Sequence, residues 1–218
     1  QKIERQEMIL REINNATRAI NKRELSEKLG VTERTIIRDI KNIRGIEQVT
    51  LTTNGVLLYD MAKDLYEAGI DAINVSLDTL SRKKFLKITR RDDFEKVSMA
   101  IDKLVDLGVR VKINCLAIKE YNFDEIVKIA QYSKDNNIDV RFIELMPIGY
   151  GKIYTGISNE VILGLLEEKY GQFEKVKEKR GNGPAVYYAN ENFKGCIGFI
   201  SAISHEFCET CNRVRLTS

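Results

Sequence analysis

The segment VRVKINCLAI (residues 109–118) alternates apolar and polar side chains, turns wholly apolar at its end, and follows a glycine at position 108. That is the pattern of a β-strand with one well-buried face. Three further runs share its character: VTLTTN (49–54), INVSLD (73–78) and VRFIELMP (140–147). Between them lie amphipathic stretches that stop at Gly69, at Gly108 and near Asn136. Strands that alternate with helices imply parallel strands joined by crossovers, hence an α/β barrel or open sheet. After Pro147 the sequence predicts a loop, a helix near residues 159–170, and a glycine-punctuated tail with β-like runs at VYYA (186–189) and IGFIS (197–201).

With 218 residues and 43% hydrophobic composition the chain can bury a substantial core. It contains no run of eighteen apolar residues, and its first residues do not read as a secretory signal, so the expectation is a cytoplasmic protein without a membrane partner. Four cysteines in such a chain favour metal binding over a disulfide framework. The missing initiator Met predicts a fragment or a processed chain.

Of the 35 Lys/Arg and 32 Asp/Glu, residues 1–45 hold eleven and seven, which leaves 24 against 25 for the remainder. The basic excess is therefore confined to the first fifth of the chain, as suits an appendage that meets a polyanion. Three helical segments are expected there: residues 4–14, a second from a cap at Asn21 to Gly30, and a third capped by Thr32. The string KRELSEKLGVTERTIIRDI (22–40) resembles the helix-turn-helix of winged-helix regulators. Leu25, Leu29, Val31, Ile36 and Ile40 would pack that unit, and Thr32, Arg34, Thr35 and Arg38 would face DNA.

In a parallel barrel the active site forms where strands end, so polar residues that interrupt each apolar run are the candidates. Four strands supply them: Thr52, Thr53 and Asn54; Ser76 and Asp78; Lys112 and Asn114; Arg141, Glu144 and Met146. Near the far end, Cys208 and Cys211 form a Cys-x-x-Cys pair, half of a zinc or iron–sulfur site. Arg213 and Arg215 alternate, so on an extended segment both guanidiniums point the same way and can clamp one anion. His205 reads as structural, and Cys115 and Cys196 as buried apolar fillers.

The strings GIEQVTLTTNG (45–55), INVSLDTL (73–80), ITRRDDF (88–94), VKIN (111–114), RFIELMPIG (141–149), GPAVYY (183–188) and IGFISAISHEFCETCNRVRLT (197–217) resemble, in order, the GTP 3′,8-cyclases of molybdenum cofactor biosynthesis. These are radical S-adenosylmethionine (SAM) lyases that convert GTP to the cyclic pyranopterin precursor. The resemblance implies a partial radical SAM (β/α) barrel over residues 46–150. It implies a truncated cluster- and GTP-binding region over 151–218, with the three-helix segment, residues 1–45, in front. It implies GTP contacts from Thr52, Lys112, Arg213 and Arg215, and SAM contacts from Ser76 and Met146. Cys208 and Cys211 would be two of three ligands to an auxiliary [4Fe-4S] cluster.

Two departures stand out. No Cys-x-x-x-Cys-x-x-Cys string occurs to hold the cluster that cleaves SAM, and the Gly-Gly-Glu-Pro string after the family's second strand is missing. The first two strand-helix units are replaced by the helix-turn-helix segment. The expectation is therefore a cyclase homologue that is not catalytically competent by itself. Its rival is a DNA-binding regulator that uses a degenerate barrel as a ligand sensor. The strand near residues 49–51 would carry an unpaired edge, which the N-terminal helices or a second copy of the chain would have to cover.

Overall fold

The computed structural model describes residues 2–15, 22–43, 48–178, 180 and 183–201, with the side chains of 13–15 left aside. Strands β1 (Thr50–Thr53), β2 (Ala72–Ser76), β3 (Arg110–Ala117) and β4 (Asp139–Glu144) pair in sequence order and in parallel. Helix α4 (Leu58–Glu67) links β1 to β2. Helices α5 (Arg82–Thr89) and α6 (Phe94–Asp106) link β2 to β3, and α7 (Lys119–Asn122) and α8 (Ile126–Asp135) link β3 to β4. After α9 (Asn159–Tyr170), the short β5 (Glu174–Lys175) and β6 (Val186–Ala189) run antiparallel, and β7 (Ile197–Ile200) inserts between β6 and β4, parallel to β4. The sheet order is thus β1-β2-β3-β4-β7-β6-β5, an α/β arrangement consistent with part of a radical SAM barrel.

Alternation along the strands decides which face meets the helices. Ile73, Val75, Val111, Ile113, Cys115, Val140, Phe142, Ile197 and Phe199 form one core with Ala62, Leu65, Ile101, Leu104, Ile129 and Leu166 of the helices. The residues between them along each strand point to the opposite, concave face. There the chain places polar side chains.

Helices α1 (Lys2–Asn15), α2 (Lys22–Leu29) and α3 (Glu33–Lys41) share a small separate core of Ile9, Leu25, Ile36 and Ile43, flanked by Leu29, Val31 and Ile40. Thr32 caps α3 as expected, its hydroxyl accepting from the Thr35 amide at 3.2 Å. The expected Asn21 cap lies outside the described residues. Arg34 turns toward α4 and pairs with Asp64 and Glu67, while Lys41 pairs with Asp71, so α3 docks on the barrel. The Arg34 pairs are exposed, and an exposed pair contributes about 0–1 kcal/mol. Arg34→Ala is therefore expected to shift urea stability by less than about 1 kcal/mol, a difference that equilibrium unfolding would read.

One expected helix before Gly108 is two. Ser81 caps α5 through the Lys84 amide, and Arg90 at φ 58° closes it in the left-handed region. Thr89 holds the reversal, donating to the Phe85 carbonyl and accepting from the Arg91 amide. Arg91 and Lys96 then pair with Asp93 at the start of α6.

Candidate functional site

The concave face carries two rows of polar side chains fixed by strand register. In the lower row Thr52 pairs with Asn74, Asn74 with Lys112, and Lys112 with Asp139. In the upper row Ser76 pairs with Asn114, Asn114 with Arg141, and Arg141 with Gly198. Neighbouring strands lie about 4.8 Å apart, so Thr52 and Lys112 are separated by about 10 Å across the sheet. Lys112 sits in the first half of β3, deeper than a strand-end position. Sequence alone grouped it with the strand ends because it is a polar residue that interrupts an apolar run.

Direct bonds lock these rows. The Asn74 amide donates to the Thr52 hydroxyl at 3.0 Å, and Arg141 Nε donates to Asn114 Oδ1 at 2.7 Å. Lys112 Nζ donates to the Arg180 carbonyl at 2.9 Å and to the Tyr187 hydroxyl at 3.1 Å, and lies 3.7 Å from Asp139. Arg180 in turn pairs with Asp139 at 3.3 Å and donates to the Cys196 sulfur. Asp139 Oδ1 also accepts from the Cys196 amide at 3.2 Å. Buried Asn74 Oδ1 and Asp139 Oδ2 find no hydrogen-bond donor among the described residues. The Arg180 Nε donor is likewise buried without a partner, and a buried polar group left that way costs free energy until a ligand or water meets it, so the floor suits a polar occupant.

Burial governs the electrostatics here. It pushes Lys112 down to about 8 because the ammonium is desolvated, and Asp139 only partly offsets this. The Tyr187 phenol and the Cys196 thiol are both pushed up for the same reason. Cys196 is buried as expected, yet it also takes the Arg180 guanidinium, which a plain apolar filler would not. Cys115 lies on the helix side of β3, fully buried, its thiol raised well above the ordinary value.

At the strand ends Ser76 is exposed and lines a cavity of ≈ 170 Å³ with Asn54, Asp78, Thr89 and Arg91. Burial raises the Asp78 carboxyl, which accepts from the Leu116 amide at 2.7 Å and ties the ends of β2 and β3 together. Met146, just past β4, is 43% exposed, so it does not fill the core. A larger hollow of ≈ 470 Å³ beyond β4 is bounded by Glu144, Leu145, Tyr154 and Ser158.

The structure therefore brings Thr52 and Lys112 into one row and leaves Ser76 at the mouth of a cavity above them. His205, Cys208, Cys211, Arg213 and Arg215 lie outside the described residues. Among the described residues no group of three His, Cys, Asp or Glu side chains is placed to hold a metal ion, and no helix is long and apolar enough to cross a membrane. Asn74, Asp139, Arg180 and Tyr187 were not singled out from sequence. Period-two counting from Lys112 would have found Asn74 only if the β2–β3 register were known.

Residues 7–133 match the radical SAM superfamily, and residues 138–218 match a family described as Molybdenum Cofactor Synthesis C. The first match begins inside α1, within the segment read as a helix-turn-helix. A GTP 3′,8-cyclase of Clostridium perfringens strain 13 is 46% identical over 182 residues, covering 84% of this chain and 56% of that protein. One from Desulforamulus reducens is 42% identical over 187 residues, 84% of this chain and 58% of that protein. Molybdenum cofactor biosynthesis protein 1 of Drosophila melanogaster is 40% identical over 188 residues, 84% of this chain and 33% of that protein. The chain thus spans about half, or less, of these curated relatives.

Proposed function

The chain belongs to the radical SAM superfamily, and on that premise we propose that it forms the GTP-holding part of a GTP 3′,8-cyclase of molybdenum cofactor biosynthesis. The observation that carries the proposal is the lower row of the concave face, where the buried Lys112 ammonium sits in register with the Thr52 hydroxyl two strands away. Lys112 is a point charge for the triphosphate and Thr52 a hydrogen-bonding partner toward the other side of the nucleotide. Arg213 and Arg215 would clamp the same ligand from one side of an extended segment. Ser76 and Met146 would hold SAM at the strand ends, where the Ser76 cavity offers polar walls.

Two thiolates, Cys208 and Cys211, would contribute to an iron–sulfur cluster. When bound, that cluster supplies an open iron for the nucleotide; the residues named here bind and orient. These residues do not supply the three-thiolate loop that radical initiation needs. The DNA-reading alternative is the weaker one, because both family matches and the curated relatives point to the cyclases and none to a regulator.

Titration calorimetry tests the reading. GTP is expected to bind with a dissociation constant in the high micromolar range, more weakly as salt rises. A charge-assisted contact is worth about 1.5–3 kcal/mol, so Lys112→Ala should weaken binding by about 10- to 150-fold, and Arg213→Ala/Arg215→Ala similarly. Ligand-free Lys112 loses its proton as pH rises through about 8, while binding needs the charged form. Affinity should therefore fall above pH 8, by up to about tenfold per unit. Equal heats from wild type and the variants, or none from wild type at millimolar GTP, would remove the proposal.

A further inference from the structure

Strand β7 contains a gap through which a side chain from β6 reaches the Lys112 ammonium two strands beyond β7. Tyr187 on β6 pairs with Gly198 on β7, and Gly198 pairs with Arg141 on β4. A Cβ built on Gly198 would stand 2.9 Å from Tyr187 Cε1 and 2.9 Å from Arg141 Cγ, so both side chains already fill the space that a larger residue would need. Laid over that bare backbone, Tyr187 carries its hydroxyl past β7 and β4 to within 3.1 Å of Lys112 Nζ, which also lies 5.1 Å from the ring centroid. Tyr187 is 5% exposed, so its ring cannot swing away without opening the sheet's inner face.

A lysine ammonium has three protons to donate. One goes to the Arg180 carbonyl and one to Tyr187, and at 3.7 Å Asp139 lies beyond hydrogen-bond range. Among the described residues the third proton has no acceptor within hydrogen-bond distance, its nearest being the ion-paired Asp139 Oδ2. A flexible four-carbon stem would otherwise let the charge wander, and holding two of three donors fixes where the third points.

We propose that Tyr187 is a positioning residue for Lys112, reaching it through the gap that Gly198 leaves in β7, so that a single remaining N–H is aimed at a phosphate oxygen of the nucleotide. The inference rests on the GTP reading of Lys112. It assigns no chemistry to the phenol beyond accepting hydrogen bonds, from Lys112 and from Arg141.

Tyr187→Phe keeps the ring and removes the hydroxyl, and with it the hydrogen bonds to Lys112 and Arg141. GTP affinity at pH 7 is expected to fall about three- to tenfold, the worth of one net hydrogen bond. The charged groups facing Lys112 are Asp139 and Arg141 on β4, Arg110 on its own strand and Arg180, with Tyr187 and the Cys196 thiol completing the set. Of these, Tyr187→Phe removes one acceptor that favours the ammonium, so the pH at which binding weakens should move below that of wild type. Gly198→Ala, which crowds both Tyr187 and Arg141, should lose more affinity than Tyr187→Phe.

A Lys112→Met background separates the possible failures. If Lys112→Met binds GTP as wild type does, the GTP reading fails. If it weakens binding while Tyr187→Phe leaves affinity and pH profile unchanged, the positioning role fails. With lysine gone, adding Tyr187→Phe should change nothing further, and a full additional loss would also overturn it. The ligand-free protein gives an independent reading through the ¹³Cε resonance of Lys112 followed against pH. Its midpoint should drop in Tyr187→Phe, and coincident curves would overturn the proposal even if no GTP bound.

Discussion

No 5′-deoxyadenosine above background is the expected result when these 218 residues are reconstituted anaerobically with iron and sulfide and given SAM and a strong reductant. Reductive SAM cleavage in this superfamily draws its electron from a cluster held by three closely spaced thiolates. The chain has cysteines at 115, 196, 208 and 211 only. Cys115 faces the helix layer, fully buried, with a thiol that resists ionisation. Cys196 is engaged by Arg180 at the foot of β7. That leaves two cysteines for any cluster, and those two carry the auxiliary site in the proposed reading. The control is Cys208→Ala/Cys211→Ala, treated identically. Product from the unmodified chain in excess of that control would mean that an unrecognised thiolate set delivers the electron, and the division of labour proposed above would be wrong.

Gly195→Ala is expected to be among the most damaging single substitutions in the protein. The added Cβ would stand 2.0 Å from the Ile138 carbonyl oxygen and 2.7 Å from its carbon, and backbone cannot step aside as a side-chain tip can. That approach exists because the segment entering β7 is bonded to two neighbours at once. The Gly195 amide donates to the Ser133 carbonyl at 2.8 Å, and the Val140 amide to the Cys196 carbonyl at 3.0 Å. Relief would require breaking both. Overpacking ordinarily costs about 1–3 kcal/mol and more when backbone must shift, so a loss of about 3 kcal/mol or more is expected. In urea that corresponds to a midpoint lowered by at least about 1 M. Gly164→Ala, inside α9 with open space around its Cβ, provides the contrast and should stabilise by up to about 1 kcal/mol. Similar midpoints for the two variants would refute the close approach.

Much of this architecture could be read from local pattern. The four parallel strands appear where apolar alternation puts them, and Thr32 caps α3 because a hydroxyl ahead of Glu33 satisfies an otherwise unbonded amide. What escaped was set by partners far away in sequence. Arg90 breaks the expected long helix because Thr89 and Asp93 fix the reversal, and nothing in the string Arg90, Arg91, Asp92, Asp93 signals a left-handed residue. The pairing of Arg34 with Asp64 and Glu67 of α4 likewise could not be read from the segment around it. The site divides similarly. Lys112 and Ser76 were legible as polar interruptions of apolar strands, whereas Tyr187 became visible only once β7 was seen to lie between β6 and β4.

That insertion has a consequence for cooperativity. Because β7 lies between β4 and β6, residues from beyond position 150 supply the hydrogen-bonded neighbour of a central barrel strand. The amide of Val140 is shielded by a carbonyl 56 positions later in the chain. Hydrogen exchange at β4 would then report the integrity of the tail as much as that of the barrel, and a proteolytic cut near residue 150 followed by loss of the tail would bare a strand edge in the middle of the sheet. Two segments distinct in sequence would open and close as a single unit, which ties the burial of Lys112 on β3 to the folding of a strand more than eighty positions later.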